Sequence, residues 1–398
     1  MKHCPACSNE SFELLIDFGT IPKSGVYLDS PEAPFPTIHL AHEFCTSCGL
    51  IRQKAIESGS HDYSLVDRVT TRQFPKYIDQ IIRSLSNYGI APDDTIIEIG
   101  SNDGGFLDRL STAAFSRLIG IEPSIACNEI SRSKGHSIIS AHWDENTAAS
   151  VLNEHGAARA VICRHTLEHV PHPLEFLRAI RSILAPDGIV FIEVPDARPI
   201  THDLRGHELW DEHLHIFTKT NLQLIMRQAG FEVTRCNAWP ERSDINLLLW
   251  ATPVSAGNNE PKAFDLEQLD KDVELCRRFK RRWQKFTARV QAVATHWPKP
   301  VVMFGASHPQ TNFIHFTGLQ SIVDLFVDDN PAKSGLYLSL AEPTPIVSSS
   351  ALINETLPGT ILRGAFGYED WMDRATAPLS CGPTIVARAY DSSLLQSE

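Results

Sequence analysis

The sequence predicts an α/β protein: a small strand-rich metal-binding domain, then a doubly wound parallel sheet, then a second α/β unit. Three observations carry that prediction. Two Cys-x-x-Cys pairs open the chain, strands begin to alternate with helices from residue 95, and the alternation restarts at a new glycine turn near residue 300. Alternation of this kind buries parallel strands between helical layers and puts ligands at the carboxyl ends of the strands. At roughly 150 residues per domain, 398 residues hold two or three domains, and the boundaries read as 1–70, 71–255 and 256–398.

Composition narrows the function. Hydrophobic residues make up 42% and charged residues 21%, as in ordinary soluble globular proteins. A net charge of −12 argues against a broad nucleic-acid footprint. No apolar run approaches the roughly 18 to 20 residues of a membrane span. The opening MKHCPACSNE lacks a signal-peptide pattern, so a reducing cytoplasm is expected. An odd count of nine cysteines then calls for a purpose other than disulfides.

Four of the nine supply one. Cys4, Cys7, Cys45 and Cys48 form two identical two-residue spacings, which let paired thiolates turn onto one ion and complete a tetrahedral four-sulfur shell suited to zinc. Four ligands leave no open position, so such a zinc is structural. The long separation from Cys7 to Cys45 requires a strand-rich insert. A redox pair is the competing reading. Cys127, Cys163, Cys236, Cys276 and Cys381 stand singly, with Cys163 closing an apolar run as a small buried residue.

The middle unit begins with a buried strand, Thr95 to Ile99, that ends in the turn Gly100-Ser-Asn-Asp-Gly-Gly105. This turn lacks the G-x-G-x-x-G spacing that fits a pyrophosphate, and Asp103 suits a cationic or amino-acid ligand better than a phosphate. A second strand from Arg117 ends on Glu122, 22 residues after Gly100, where a carboxylate can accept both ribose hydroxyls. Together these cues suit S-adenosylmethionine, with a nicotinamide site or an empty glycine turn as the alternatives. Ala160 to His165 reads as the next strand, Pro173 opens a helix, and Ile189 to Val194 is a further strand.

At this point EIGSNDGGFLDRL, IGIEPS and RHTLEHVPHPLEFLRAIRSILAPDGIVFIEVP resemble the successive motifs of class I S-adenosylmethionine-dependent methyltransferases. With the cysteine knuckles ahead and VVMFGASHPQTNFIHFTGLQSIVDLFVDDNPAKSG behind, the chain resembles the three-domain sugar C-methyltransferases that act on nucleotide-linked keto-deoxysugars. The resemblance runs from Cys4 to about Tyr368. It implies that Gly100, Asn102, Asp103, Gly104, Glu122 and Pro123 hold the cofactor, and that a carboxyl-terminal Rossmann-like domain helps to bind the sugar nucleotide. Tyr63 and Arg68 lie where the family's amino-terminal domain closes over the cofactor. A small-molecule partner of this type is expected, with no nucleic acid and no membrane; the oligomeric state is not legible.

Pattern alone supports the third unit. Pro300 to Gly305 reads as a strand and glycine turn, and Ile322 to Asp329 as a strand ending in acids. Asp328 and Asp329 follow Gly305 by 23 and 24 residues, repeating the spacing of the middle unit. The segment from Phe264 to about Trp297 reads as a long connecting helix, whose basic cluster Arg277 to Arg282 is either a solvated face or a phosphate contact.

The candidate catalytic stretch is Trp210-Asp-Glu-His-Leu-His215, in a region with His202, His207, His213 and His215. Metal binding lacks a regular ligand spacing here, and a base fits better. Methylating carbon beside a ketone requires removal of an acidified C–H proton, which a histidine can accept near neutral pH with a carboxylate to orient it. The family's matching stretch runs Tyr-His-Glu-His. Glu212 and His213 match it, whereas Trp210 and Asp211 depart, and an indole N–H cannot shuttle a proton. The family's later glycine-rich stretch is also altered, to Glu241 through Asn246. His213 is therefore the expected base and Glu212 its partner. His165 steadies the enolate or the methionine end of the cofactor, or else caps a loop, and His169 reads as a packing residue. Two other functions stay open: a methyltransferase of the same fold for another acceptor, and a non-catalytic nucleotide-binding homologue.

Overall fold

The computed structural model describes residues 2–55, 77–241, 244–254, 265–340, 343–355, 357–364, 369–379 and 385–388. Tyr63, Arg68 and Cys381 lie outside them. The middle unit is a seven-stranded sheet in the order Phe231–Glu241, Asp244–Pro253, Leu184–Pro195, Ala158–Arg164, Thr95–Ile99, Arg117–Ile121, Ser137–Ile139. The last five run parallel, and Asp244–Pro253 runs antiparallel to both of its neighbours. Numbered along the chain, that order is 3-2-1-4-5-7-6 read from the opposite edge, with the reversed strand seventh. The strands are apolar because helices cover both faces: Ile97, Val161 and Val190 face one side, and Ile96, Ile162 and Phe191 the other.

The helix Pro173–Ile183 starts where the sequence places it, with proline at its first position. The connecting helix spans Leu266–Ala294. Its buried row Val273, Cys276, Phe279, Trp283, Phe286 and Val290 has helical spacing and packs under the other two units. Beyond it, Ile385–Arg388, Thr360–Arg363, Val301–Phe304, Leu325–Val327 and Thr344–Val347 form a second parallel sheet. The strand after residue 322 is shorter than its apolar pattern predicts, because Ile322 and Val323 turn back on Leu319.

The units exchange strands. Phe12–Pro22, Thr37–Cys45 and Ile51–Gln53 form the amino-terminal sheet, but its fourth strand is His215–Ile216 from the middle unit. In return, Tyr27–Leu28 pairs with Tyr337–Leu338 at the edge of the carboxyl-terminal sheet. The 1–70 boundary of the sequence therefore does not bound a sheet in space.

One close contact joins the middle unit to the long helix. A Cβ on Gly206 would stand 2.8 Å from the Trp283 ring, whose side chain is buried. Gly206→Ala is expected to cost roughly 1–3 kcal/mol by overpacking, read as a lower denaturant midpoint with an unchanged slope; an unchanged midpoint would contradict that packing.

Candidate functional site

The glycine turn is built so that little else fits. Gly100 has φ 75°, and a Cβ there would lie 2.1 Å from Thr166 Oγ1. Gly104, at φ 77°, precedes the helix Gly105–Thr112. Glu122 reaches back to this turn: its carboxylate accepts the Asn102 N–H at 3.0 Å and the Ser124 N–H at 2.8 Å, flanking Pro123. Burial pushes the Glu122 carboxyl upward while those two N–H groups pull it down. Asp103 carries its own cation, Lys134, at 3.5 Å, and accepts the Gly105 N–H. Thr166 packs against Gly100, so the turn and the Glu122 carboxylate form one compact acidic site at the strand ends.

On the neighbouring strand, Ala158–Arg164 ends on His165, held at φ 48°. Its backbone N–H donates to the Glu193 carbonyl at 2.9 Å, and its Nε2 meets the Glu193 carboxylate at 3.0 Å. Glu193 has no solvent exposure and also takes Arg164 at 2.6 Å, Asn246 at 3.3 Å and the Tyr77 hydroxyl. Burial alone would raise the Glu193 carboxyl, yet Arg164 and His165 hold it well below the usual range. The same burial would lower the His165 imidazole, but Glu193 and Glu168 outweigh it and lift it to about 9. Both nitrogens of the His165 ring thus face carboxylates, an arrangement that favours its protonated form.

Glu168 links this network to the catalytic stretch. It is 1% exposed, 3.5 Å from His165 Nδ1 and 3.9 Å from His169 Nε2. His169 Nδ1 donates to the Glu212 carbonyl at 2.8 Å, which leaves Nε2 as the ring's lone-pair side when His169 is neutral. The His213 ring lies 5.0 Å from His169 and 4.6 Å from Trp210, and Trp210 stacks at 3.9 Å on His308 of the carboxyl-terminal unit. Ligand atoms of Glu168, His169 and His213 all fall within 4.8 Å of one another, so the trio can share a proton or hold a divalent cation.

Of the four clustered histidines, His213 joins this group. His202 is at the surface with Asp203. His207 packs on Phe313, and burial drives its imidazole down. His215 sits in the amino-terminal sheet, where burial lowers it to about 3. His169, expected as a packing residue, belongs to the cluster. Glu168 was missed; the compact His165-Thr-Leu-Glu-His169 run was its signal, because a short 3₁₀ turn brings residues 165, 168 and 169 together. Glu212 meets His169 through its backbone.

The second glycine turn copies the first. Gly305 N–H donates to Val327 as Gly100 does to Ile121, both at 2.8 Å, and Asp328 accepts the Ala306 N–H as Glu122 accepts Asn102. Here, however, Lys333 neutralises the acid at 2.8 Å, and Asp329 is turned to Ser349 and Trp371. The basic helix cluster divides between solvent and structure: Arg282 donates to the Thr201 and His202 carbonyls, and Arg278 pairs with Glu274.

At the far end, Cys4 Sγ lies 3.6 Å from Cys48 Sγ and Cys7 Sγ lies 3.4 Å from Cys45 Sγ. Disulfides at roughly 2.05 Å are ruled out. Four bonds of roughly 2.3 Å around a tetrahedral ion would space the sulfurs by just under 4 Å, and all four lie within 4.8 Å of one another, so the set fits such an ion. Asn9 Nδ2 lies 3.6 Å from Cys45 Sγ, where it can donate toward a thiolate.

The strand order is that of the class I methyltransferase fold, and residues 70–235 match the family model described as "Methyltransferase domain". Among characterised relatives, the chain is 24% identical over 267 residues to the C-methyltransferase NovU of Streptomyces niveus, covering 64% of this chain and 62% of NovU. It is 33% identical over 67 residues to the ubiquinone biosynthesis O-methyltransferase of Haemophilus ducreyi, covering 15% of this chain and 28% of that protein. The matches thus span less than two thirds of each relative. Magnesium protoporphyrin IX methyltransferase of Synechocystis PCC 6803, solved with bound SAM, shares 14% identity at a TM-score of 0.34, over 44% of this chain and 77% of that one. Among the described residues, no helix is long and apolar enough to cross a membrane.

The raised His165 imidazole has a stability consequence. Its contribution is complete below the ordinary value of 6.5 and is lost as pH climbs through about 9. His165→Gln should therefore cost on the order of 2 kcal/mol near pH 6, and the gap should close above about pH 9. Urea melts at several pH values check this; a gap independent of pH would contradict it.

Proposed function

We propose that the chain is an S-adenosylmethionine-dependent C-methyltransferase acting beside the ketone of a nucleotide-linked keto-deoxysugar, with His213 as the base. The observation that carries this reading is the contact of His213 with His169 and Glu168, beyond the end of the strand that neighbours the one leading into the glycine turn. The resemblance of the catalytic stretch and the NovU match support it.

When bound, S-adenosylmethionine supplies an electrophilic sulfonium methyl. Gly100, Asn102, Asp103 and Gly104 would line its site, and Glu122 would accept from its ribose hydroxyls. His213 takes the proton from the carbon beside the ketone. His169, oriented by the Glu212 carbonyl, and the buried carboxylate of Glu168 stabilise the imidazolium that results. His165, held between Glu193 and Glu168, balances the negative charge of those two carboxylates. Trp210 excludes water from the base and takes no proton. Cys4, Cys7, Cys45 and Cys48 would hold a zinc of structural kind.

Incubation with a keto sugar nucleotide in deuterated water tests the base. Solvent deuterium should enter at the carbon beside the ketone, and His213→Ala should slow exchange at least about 100-fold; equal rates in parent and variant would remove the assignment. Exchange that depends on an added divalent ion would instead favour a metal held by Glu168, His169 and His213. Calorimetry should detect binding of a nucleoside diphosphate alone; its absence points to another acceptor. Native mass spectrometry should find one zinc per chain, lost in Cys45→Ser; a metal-free parent would refute the zinc site.

A further inference from the structure

Gln53 closes the strand Ile51–Gln53, five residues after Cys48, and is 4% exposed. Its Nε2 lies 2.6 Å from the Asp211 carbonyl oxygen and 3.3 Å from those of Trp210 and His213. Its backbone N–H donates to the Leu214 carbonyl at 3.0 Å. Three backbone acceptors from one tight turn thus converge on a single carboxamide, and the turn closes with His213 N–H donating to Trp210 at 3.2 Å. Carbonyl dipoles with their negative ends together repel unless a donor stands between them. The rings that this turn carries meet two others, His213 at His169 and Trp210 at His308. Asp211 is tied from the same direction, its carboxylate accepting the Ser24 N–H at 3.3 Å.

We propose that Gln53 is a positioning residue: its carboxamide sets the turn that carries His213, so the cysteine-bearing unit helps to build the reaction centre. The catalytic consequence rests on reading His213 as the base; the geometric claim does not, and its test needs no substrate.

The test uses the full-length protein with ring-labelled histidine, following the His213 and His165 resonances. Gln53→Met keeps the length and removes the donor. It should shift and broaden the His213 signals, leave those of His165 in place, and leave the metal content unchanged. Gln53→Glu supplies a carboxyl that donates while protonated and repels the carbonyls once ionised. Its His213 signals should therefore match the parent at acid pH and depart from it as the introduced group titrates, which a pure packing role would not reproduce. Unchanged His213 signals in Gln53→Met, a pH-independent change in Gln53→Glu, or loss of the whole fold in both would each overturn the proposal. Should deuterium exchange exclude His213 as base while these shifts appear, only the catalytic consequence falls.

Discussion

Glu193 enters the middle sheet as a carboxylate without solvent exposure, and an unpaired charge there would cost several kcal/mol. The surrounding structure is arranged to prevent that. Arg164, His165, Asn246 and Tyr77 converge on its two oxygens from the neighbouring strands and the preceding helix. Meeting Glu193 with both backbone and ring holds His165 in the left-handed region, a strain of the kind found where function fixes geometry. The opposite edge of that ring faces Glu168, Glu168 faces His169, and His169 faces His213. A single desolvated charge thus organises a line of ionisable groups from the sheet to the crevice.

The other side of the crevice is fixed by exchange between units. The turn that bears His213 is followed by a strand of the amino-terminal sheet, and Trp210 rests on His308 from the carboxyl-terminal unit. The amino-terminal unit lends Tyr27–Leu28 to the far sheet, where Tyr27 donates its hydroxyl to the Ala306 carbonyl at 2.9 Å. Cys45 ends one strand of the amino-terminal sheet and Gln53 ends the next, so the cysteine cluster and the turn that bears His213 are joined through that sheet. The glycine turn at Gly305 repeats the backbone of the first but differs in charge, because Lys333 pairs with its Asp328 at 2.8 Å.

Elements governed by local chemistry were legible in the sequence. The strand Thr95–Ile99, its glycine turn, the proline-led helix Pro173–Ile183 and the helix Leu266–Ala294 follow apolar period and turn residues, and the cysteine spacing placed all four sulfurs together. The place of Glu122, just past the strand Arg117–Ile121 and beside the glycine turn, was legible because strand length fixes where an acid at its tip will point. What sequence could not supply was set by distant neighbours. His202, His207, His213 and His215 look alike in composition, and burial, partner and sheet membership separate them. His169 and Glu168 gain meaning from the Glu212 carbonyl, 43 residues on. Gln53 has no local pattern at all, since its role depends on where strand His215–Ile216 docks.

The central claim is that this crevice transfers a methyl group to carbon. Incubating the protein with a keto sugar nucleotide labelled with ¹³C beside its ketone, and with S-adenosylmethionine labelled in its methyl, measures that outcome directly by NMR. The account predicts a one-bond carbon–carbon coupling between the new methyl and the sugar carbon. A labelled methyl found on oxygen or nitrogen, or no transfer at all from a cofactor that binds, would contradict it.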